Sequence, residues 1–419
     1  MTDLSVDARL LTKETGVVPQ INTSVVILAS AVLGAGAIAL ADAYAWRQGA
    51  LFLVGGALGV ALYHALFGFT SAWRVFIANG RGAGLRAQML MLAVAAVLFF
   101  PALGHGSLFG QPVHGEYGAV GVSVLVGAFI FGLGMQLGGG CASGTLYTAG
   151  GGNTRMLVTL AFFIIGSAFG AWHLPWWSAQ PNIGAISLIK SWGWAPALAV
   201  SLAGFAAIAT VTVAIERRRH GALRNGVVTD RHGLRRFLHG PWPLLAGAVA
   251  LALGNFATLY LAGRPWGITS AFALWGSKLF AASGVDVASW AYWHAPERAK
   301  QLQESVFSDI TSVMDFGIVL GALLASGLAG KFRPGWKVPP RSLFAAVLGG
   351  LLLGYGARLA YGCNIGAYFS GIALSSVHGW LWLVAAFAGS VLGTYLRPWF
   401  GLSVEGNLTR AQAGPVARD

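Results

Sequence analysis

The sequence predicts an all-α, polytopic membrane protein of about ten transmembrane helices, arranged as two inverted repeats with re-entrant glycine-rich loops. Three observations predict it. Apolar residues make up 56% of the 419-residue chain and charged residues only 10%, too little polar surface for a water-soluble protein of this size. Segments of roughly twenty residues with almost no charge, the length that crosses a bilayer as a helix, recur along the whole chain. A glycine-rich motif occurs twice, and its two copies hold the only 2 cysteines.

Apolar runs place the spans at 22–42, 49–68, 84–104, 118–137, 157–175, 195–215, 243–262, 312–330, 342–360 and 379–397. The first follows a polar tail and is expected to be a retained helix rather than a cleaved signal. The predicted organisation is a tail and first helix (1–48), a first repeat (49–175), a linking helix with a basic loop (176–242), a second repeat (243–397) and a C-terminal tail (398–419). Basic residues gather in alternate connections: Arg9 and Lys13; Arg74, Arg81 and Arg86; Arg155; the run from Arg217 to Arg236; Lys331 to Arg341; and Arg397, Arg410 and Arg418. That asymmetry predicts a multi-pass membrane protein with both termini cytoplasmic. The net charge of +13 is therefore read as orienting the chain in a lipid bilayer. No nucleic-acid partner is expected, since no recognition motif accompanies the charge.

The repeat is read by laying GLGMQLGGGCASG (Gly132 to Gly144) on GYGARLAYGCNIG (Gly354 to Gly366). Gly132 falls on Gly354, Gly134 on Gly356, Leu137 on Leu359, Gly140 on Gly362, Cys141 on Cys363 and Gly144 on Gly366. Glycine is abundant enough for its matches to be weak, but the coincidence of the two cysteines in register is not. A second pair keeps the same order: GFTSA from Gly68 and GITSA from Gly267 precede the two cysteine motifs. The second half is longer by a polar insert around Asp286 to Asp309, expected as an external amphipathic helix. An odd number of crossings separates the halves, so equivalent elements should run in opposite directions. Four nearly uncharged loops then enter from the two faces, and such backbone is tolerated in a membrane only where it lines an enclosed cavity.

Glycine lets backbone approach backbone and substrate closely. A thiol there is a weak, polarizable donor without fixed charge. The alternative for each cysteine is a small core residue, because free cysteine is among the most buried types. A disulfide between them would block a path between the halves.

On these motifs the chain resembles the YeeE/YedE family of bacterial inner-membrane proteins, associated with transport of thiosulfate and related sulfur compounds. The resemblance runs from about residue 49 to 397 and rests on G-x(5)-G-C-x-x-G in both halves and on PWGITSAFALWG from Pro265. It implies an hourglass of two inverted halves whose cysteines, here Cys141 and Cys363, contact thiosulfate in passage. It also implies a cytoplasmic sulfur-carrier protein that receives the cargo. Many members carry a further cysteine after a phenylalanine in the first short loop; here Phe69 is followed by Thr70, so a relay of three thiols is unavailable.

A sulfur oxyanion needs several donors, and N–H groups at helix N-termini supply them with a favourable dipole. The expected substrate-binding set is Cys141, Cys363, Gly140, Gly144, Gly362, Gly366 and Asn364 of the cysteine motifs, the hydroxyls of Thr70, Ser71, Thr269 and Ser270, and Arg358 at the external mouth. The hydroxyls equally suit helix packing, and Arg358 equally suits a snorkelling interfacial role. Gln136 holds the position equivalent to Arg358. Asp315, an acid within or at the edge of the eighth span, is of the kind used for ion coupling; a structural hydrogen bond is the reading preferred. His64 is read as a packed, satisfied histidine.

The function expected is a permease for uptake of thiosulfate or a related small sulfur anion, with no cofactor and no metal. GGGCASGTLYTAGGGN lacks the Gly-Lys-Ser/Thr ending of a phosphate-binding loop, and neither HExxH nor CxxC occurs. The alternatives are a membrane sulfurtransferase or thiol redox protein forming cysteine persulfides, and a non-transporting scaffold. A persulfide that turns over marks the first, and absence of flux marks the second.

Overall fold

A computed structural model describes residues 20–223 and 233–405. The basic positions Arg9, Lys13, Arg224, Arg231, Arg410 and Arg418 lie outside the described residues. The described chain is helical, with 10 candidate membrane spans.

In chain order the helices are α1 (Thr23–Ala43), α2 (Trp46–His64), α3 (Phe69–Asn79), α4 (Ala83–His105), α5 (Val122–Gly138), α6 (Ala142–Gly150) and α7 (Thr154–Ser178). There follow α8 (Leu188–Trp192), α9 (Trp194–His220), α10 (Gly233–His239), α11 (Leu244–Ala262), α12 (Thr269–Ala282) and α13 (Pro296–Gln303). The last are α14 (Ile310–Leu328), α15 (Pro340–Leu359), a π-helical segment Asn364–Ser370 running into α16 (Gly371–Ala373), and α17 (Val377–Leu396). Two small antiparallel pairings complete the connections: Ser107–Leu108 with Gln111–Pro112, and Ala119–Gly121 with Asn182–Ala185. The polar insert forms two short 3-10 turns and then α13, a shorter helix than its length allows.

Helix packing follows the sequence repeat by exchange of partners. α2 packs along α14 as α11 packs along α4, α5 along α17 as α15 along α7, and α3 against α17 as α12 against α7; α5 and α15 pack on each other. The matched glycines make the matched contacts. A Cβ at Gly132 would strike the Ala386 carbonyl of α17, and one at Gly354 the Phe163 carbonyl of α7. Gly134 lies against α15 at Leu353 and Gly349, and Gly356 against α5 at Gly127 and Phe131. These glycines thus bring helix backbones together, the small-residue packing that substitutes for a hydrophobic driving force inside a bilayer. α1 and α9, which flank the halves on α14 and α4, bury the smallest shares of their length and turn large apolar side chains such as Ile27, Ile38 and Val211 outward.

Several charged groups at the ends of this bundle are paired there. Glu216, fully buried, pairs with Arg81 at 3.2 Å and Arg86 at 2.8 Å and accepts from the Gly82 amide. Arg155 donates to the carbonyls of Leu137 and Gly138, both at 2.7 Å, closing the C-terminus of α5 where Gly139 takes a left-handed φ of 91°.

Candidate functional site

Each of the four motifs ends at the start of a helix too short to span a bilayer: α3 after GFTSA begins, α6 after Gly-Cys141, α12 within GITSA, and the π segment with α16 after Gly-Cys363. The two cysteines occupy the same local position. Cys141 caps α6, its Sγ accepting from the Gly144 amide at 3.5 Å and meeting the Ser143 hydroxyl at 3.3 Å. Cys363 caps the π segment, its Sγ accepting from the Ile365 amide at 3.4 Å. Both are buried free thiols, not a disulfide. α6 touches the π segment, so the two capped N-termini belong to one junction between the halves. Gly362 holds φ at 150°, a backbone that only glycine adopts readily.

A cavity of about 580 Å³ opens onto the first-half side of this junction. It gathers five of the expected residues, Thr70, Ser71, Gly140, Cys141 and Gly144, among basic groups that include Arg74, Arg155, Lys331, Arg333 and Arg397. Several of these are also tied to the fold: Arg74 pairs with Glu405 at 2.8 Å, and Arg397 donates to the Gln136 carbonyl at 2.5 Å. The wall is strongly positive, which concentrates anions at a mouth of this kind.

Thr269, Ser270, Gly362, Cys363, Asn364, Gly366 and Arg358 are not on that wall. The second-half motifs are instead held to each other. Asn255 accepts from the Trp266 amide at 2.8 Å and donates to the Ser370 hydroxyl at 3.1 Å, while Ser370 donates to the Trp266 carbonyl at 2.7 Å. Space remains between them: a Cβ on Gly267 would meet nothing, and one on Gly366 would reach only the Gly267 Cα and the Tyr361 carbonyl, both at 4.0 Å. Ser270 donates to Thr311 at 3.1 Å. Arg358 Nη1 donates to the Tyr292 hydroxyl at 3.0 Å and the guanidinium stacks over that ring, while its buried Nε has no partner.

Buried polar atoms on or beside the four motifs have no protein partner, among them Thr70 Oγ1, both amide atoms of Asn364, the Trp266 indole N–H and the Tyr368 hydroxyl. A buried donor left unpaired costs about 1–3 kcal/mol, so such a set points to a ligand that pairs it. Tyr368 and Trp266 were not legible as site residues. Tyr368 packs edge-on to Phe69 and Trp73 and stacks on Trp382, which carries the first short motif against the second cysteine helix. Two single-residue expectations are corrected. His64 is packed, against Trp242, but its Nε2 has no partner and the ring lines the cavity. Asp315 makes no structural hydrogen bond with either oxygen.

Comparison with known proteins agrees with the architecture. The family model described as sulphur transport matches residues 64–392. The thiosulfate transporter TsuA of Spirochaeta thermophila is 27% identical over 374 residues, covering 83% of this chain and 97% of that protein. The thiosulfate transporter TsuA of Escherichia coli K12 is 26% identical over 363 residues, 83% of this chain and 92% of that one. The probable transporter YedE of Escherichia coli K12 is 31% identical over 159 residues, and there the match spans only 39% of the relative's length. With ten apolar spans, a duplicated cysteine-capped helix and a family match over most of its length, this chain belongs to the sulphur transport family.

Proposed function

We propose that this protein is an uptake permease for thiosulfate or a closely related sulfur anion, which passes inward between Cys363 and Cys141. The observation that carries the reading is the matched pair of cysteine caps on short helices that touch at the junction of the halves. A helix N-terminus offers unpaired N–H groups and a favourable dipole to an oxyanion, and a thiol beside it can donate to the terminal sulfur. On or beside the same motifs stand the unpartnered donors Thr70, Asn364, Trp266 and Tyr368. Sharing the load among many neutral donors suits permeation, because an anion held by a buried full charge would leave slowly.

In this reading the repeats are inverted in the membrane, the four short helices are re-entrant, and both termini are cytoplasmic. The anion enters through the gap between Gly267 and Gly366, exchanges water for the donors of the junction, passes the two thiols and leaves through the basic cavity. The same cavity is the face at which a cytoplasmic sulfur-carrier protein would collect the cargo. The protein acts as a permease rather than an enzyme: the Cys141 thiol is engaged by Ser143 and Gly144, neither of which is a base that would activate it.

Growth tests the reading. A sulfate-uptake-deficient bacterial host expressing this protein should grow on thiosulfate as sole sulfur source, with sulfite, sulfide and selenium-bearing analogues as the comparison set. Failure on thiosulfate with growth on another member would reassign the substrate, and failure on all would remove the transport reading.

A further inference from the structure

Asp315 has no place in the path described so far. Its side chain is 0% exposed and neither carboxylate oxygen has a partner. It lies on α14 one turn before Val319, on the stripe that Val319 and Ala322 pack against Gly150 of α6. α6 and α14 run the same way, since Gly150 meets Val319 and Ala322 while Gly152 meets Phe332. Asp315 therefore falls beside the first half of α6, the half that begins at Cys141. A turn before it on the same face, Thr311 accepts from Arg264 and from Ser270 of GITSA, each at 3.1 Å. The acid thus lies beside α6 and one turn from the Thr311 hydroxyl that Ser270 bonds, against the proposed path.

We propose that Asp315 carries a proton and couples inward movement of the sulfur anion to inward movement of protons; this rests on the thiosulfate reading above. A carboxylate buried without a partner holds its charge only at large cost, so a neutralising cation must accompany it through part of each cycle. A metal cation would need a shell of oxygen ligands. The polar oxygen one turn away on this face, Thr311 Oγ1, is already bonded by the Arg264 guanidinium, which repels such an ion. A proton needs no shell. It binds Asp315 from the outer side as the anion enters and leaves to the inner side as the anion exits, and nothing is oxidised or reduced. Coupling has a reason here: a dianion entering a negative interior moves against the membrane potential, and each proton that enters with it offsets one charge.

The charged and titratable groups on elements packed against α14 are Asp42 on α1, Arg47, Tyr63 and His64 on α2, Tyr147 on α6, Lys278 on α12, and Arg235, Arg236 and His239 on α10. Asp309, at the cap of α14 itself, spends its carboxylate on the amide and hydroxyl of Ser312 at 2.8 and 2.7 Å. None of these is hydrogen-bonded to Asp315.

The test uses the purified full chain in liposomes with the membrane potential clamped, labelled thiosulfate outside and a trapped pH dye inside. An acid-outside gradient should raise thiosulfate accumulation about tenfold per pH unit if one proton accompanies each anion. Adding thiosulfate should acidify the lumen, and the D315N variant should lose the response to the gradient. Wild-type uptake that ignores the gradient and leaves the dye unchanged overturns the coupling while leaving the substrate reading intact. A full gradient response in D315N overturns the role of Asp315. If D315N is not recovered from the membrane, D315S, which also lacks the carboxyl, replaces it, and a full gradient response in that variant counts against the residue. No thiosulfate uptake under any gradient refutes the substrate reading itself.

Discussion

The matched glycines divide into two classes that one series of alanine substitutions should separate. At Gly132 and Gly354 the added methyl points into a backbone carbonyl of a crossing helix, a group that cannot swing aside. The helix pair must part, and overpacking of this kind costs about 1–3 kcal/mol. At Gly144 the methyl meets only the Cys141 Sγ at 3.5 Å, and at Gly366 only the Gly267 Cα and the Tyr361 carbonyl, both at 4.0 Å. There is room, and replacing a helical glycine by alanine itself contributes about 0.5–1 kcal/mol of stability. Folding should therefore be unharmed at these two sites while the methyl intrudes on the donors and the gap. Each variant would be followed in detergent by thermal unfolding and in vesicles by uptake of labelled thiosulfate. G132A and G354A should lower the unfolding temperature. G144A and G366A should leave it unchanged or raised yet reduce uptake about tenfold, equivalent to ~1.4 kcal/mol at the barrier. Normal uptake in both G144A and G366A, or full stability in both G132A and G354A, would refute the division.

An impermeant thiol reagent should reach Cys363 only from outside and Cys141 only from inside; labelling of both from one face would contradict the inverted arrangement. Serine at either cysteine should restore only part of the flux lost in the alanine variant, since a hydroxyl is smaller and less polarizable than a thiol; full recovery in the uptake assay would show that the sulfur is dispensable. E216Q should cost about 1–3 kcal/mol of stability, read as a lower unfolding temperature. That is less than a fully buried pair would cost, because Arg81 and Arg86 are partly exposed at 28% and 19%.

The spans were legible because each is a charge-free run of membrane length, and the repeat because two cysteines fell in register amid the glycines. What the glycines do was only half legible. Gly140, Gly144, Gly362 and Gly366 fall at the short helices as expected, but Gly132, Gly134, Gly354 and Gly356 are helix-packing residues, a distinction that depends on which helix crosses opposite. The unpartnered donors of Trp266 and Tyr368 could not be read at all. An aromatic residue in an apolar run looks the same whether its polar atom is satisfied or not, and only the packing of Phe69, Trp73 and Trp382 around Tyr368 decides it. Arg358 has the right type and spacing for an anion mouth, and Tyr292, brought over it from the polar insert, takes one of its guanidinium nitrogens. No local pattern announces a partner 66 residues away.

The account stands most directly on the two thiols acting in one path. Uptake of labelled thiosulfate into vesicles should be measured for C141A, C363A and the double variant, with sulfate as control and membrane insertion verified. Each single variant should lose most of the flux, and the double variant should be no worse than the poorer single one, because either break interrupts the same route. Undiminished thiosulfate uptake in the double variant would contradict the claim and return both cysteines to the ordinary core.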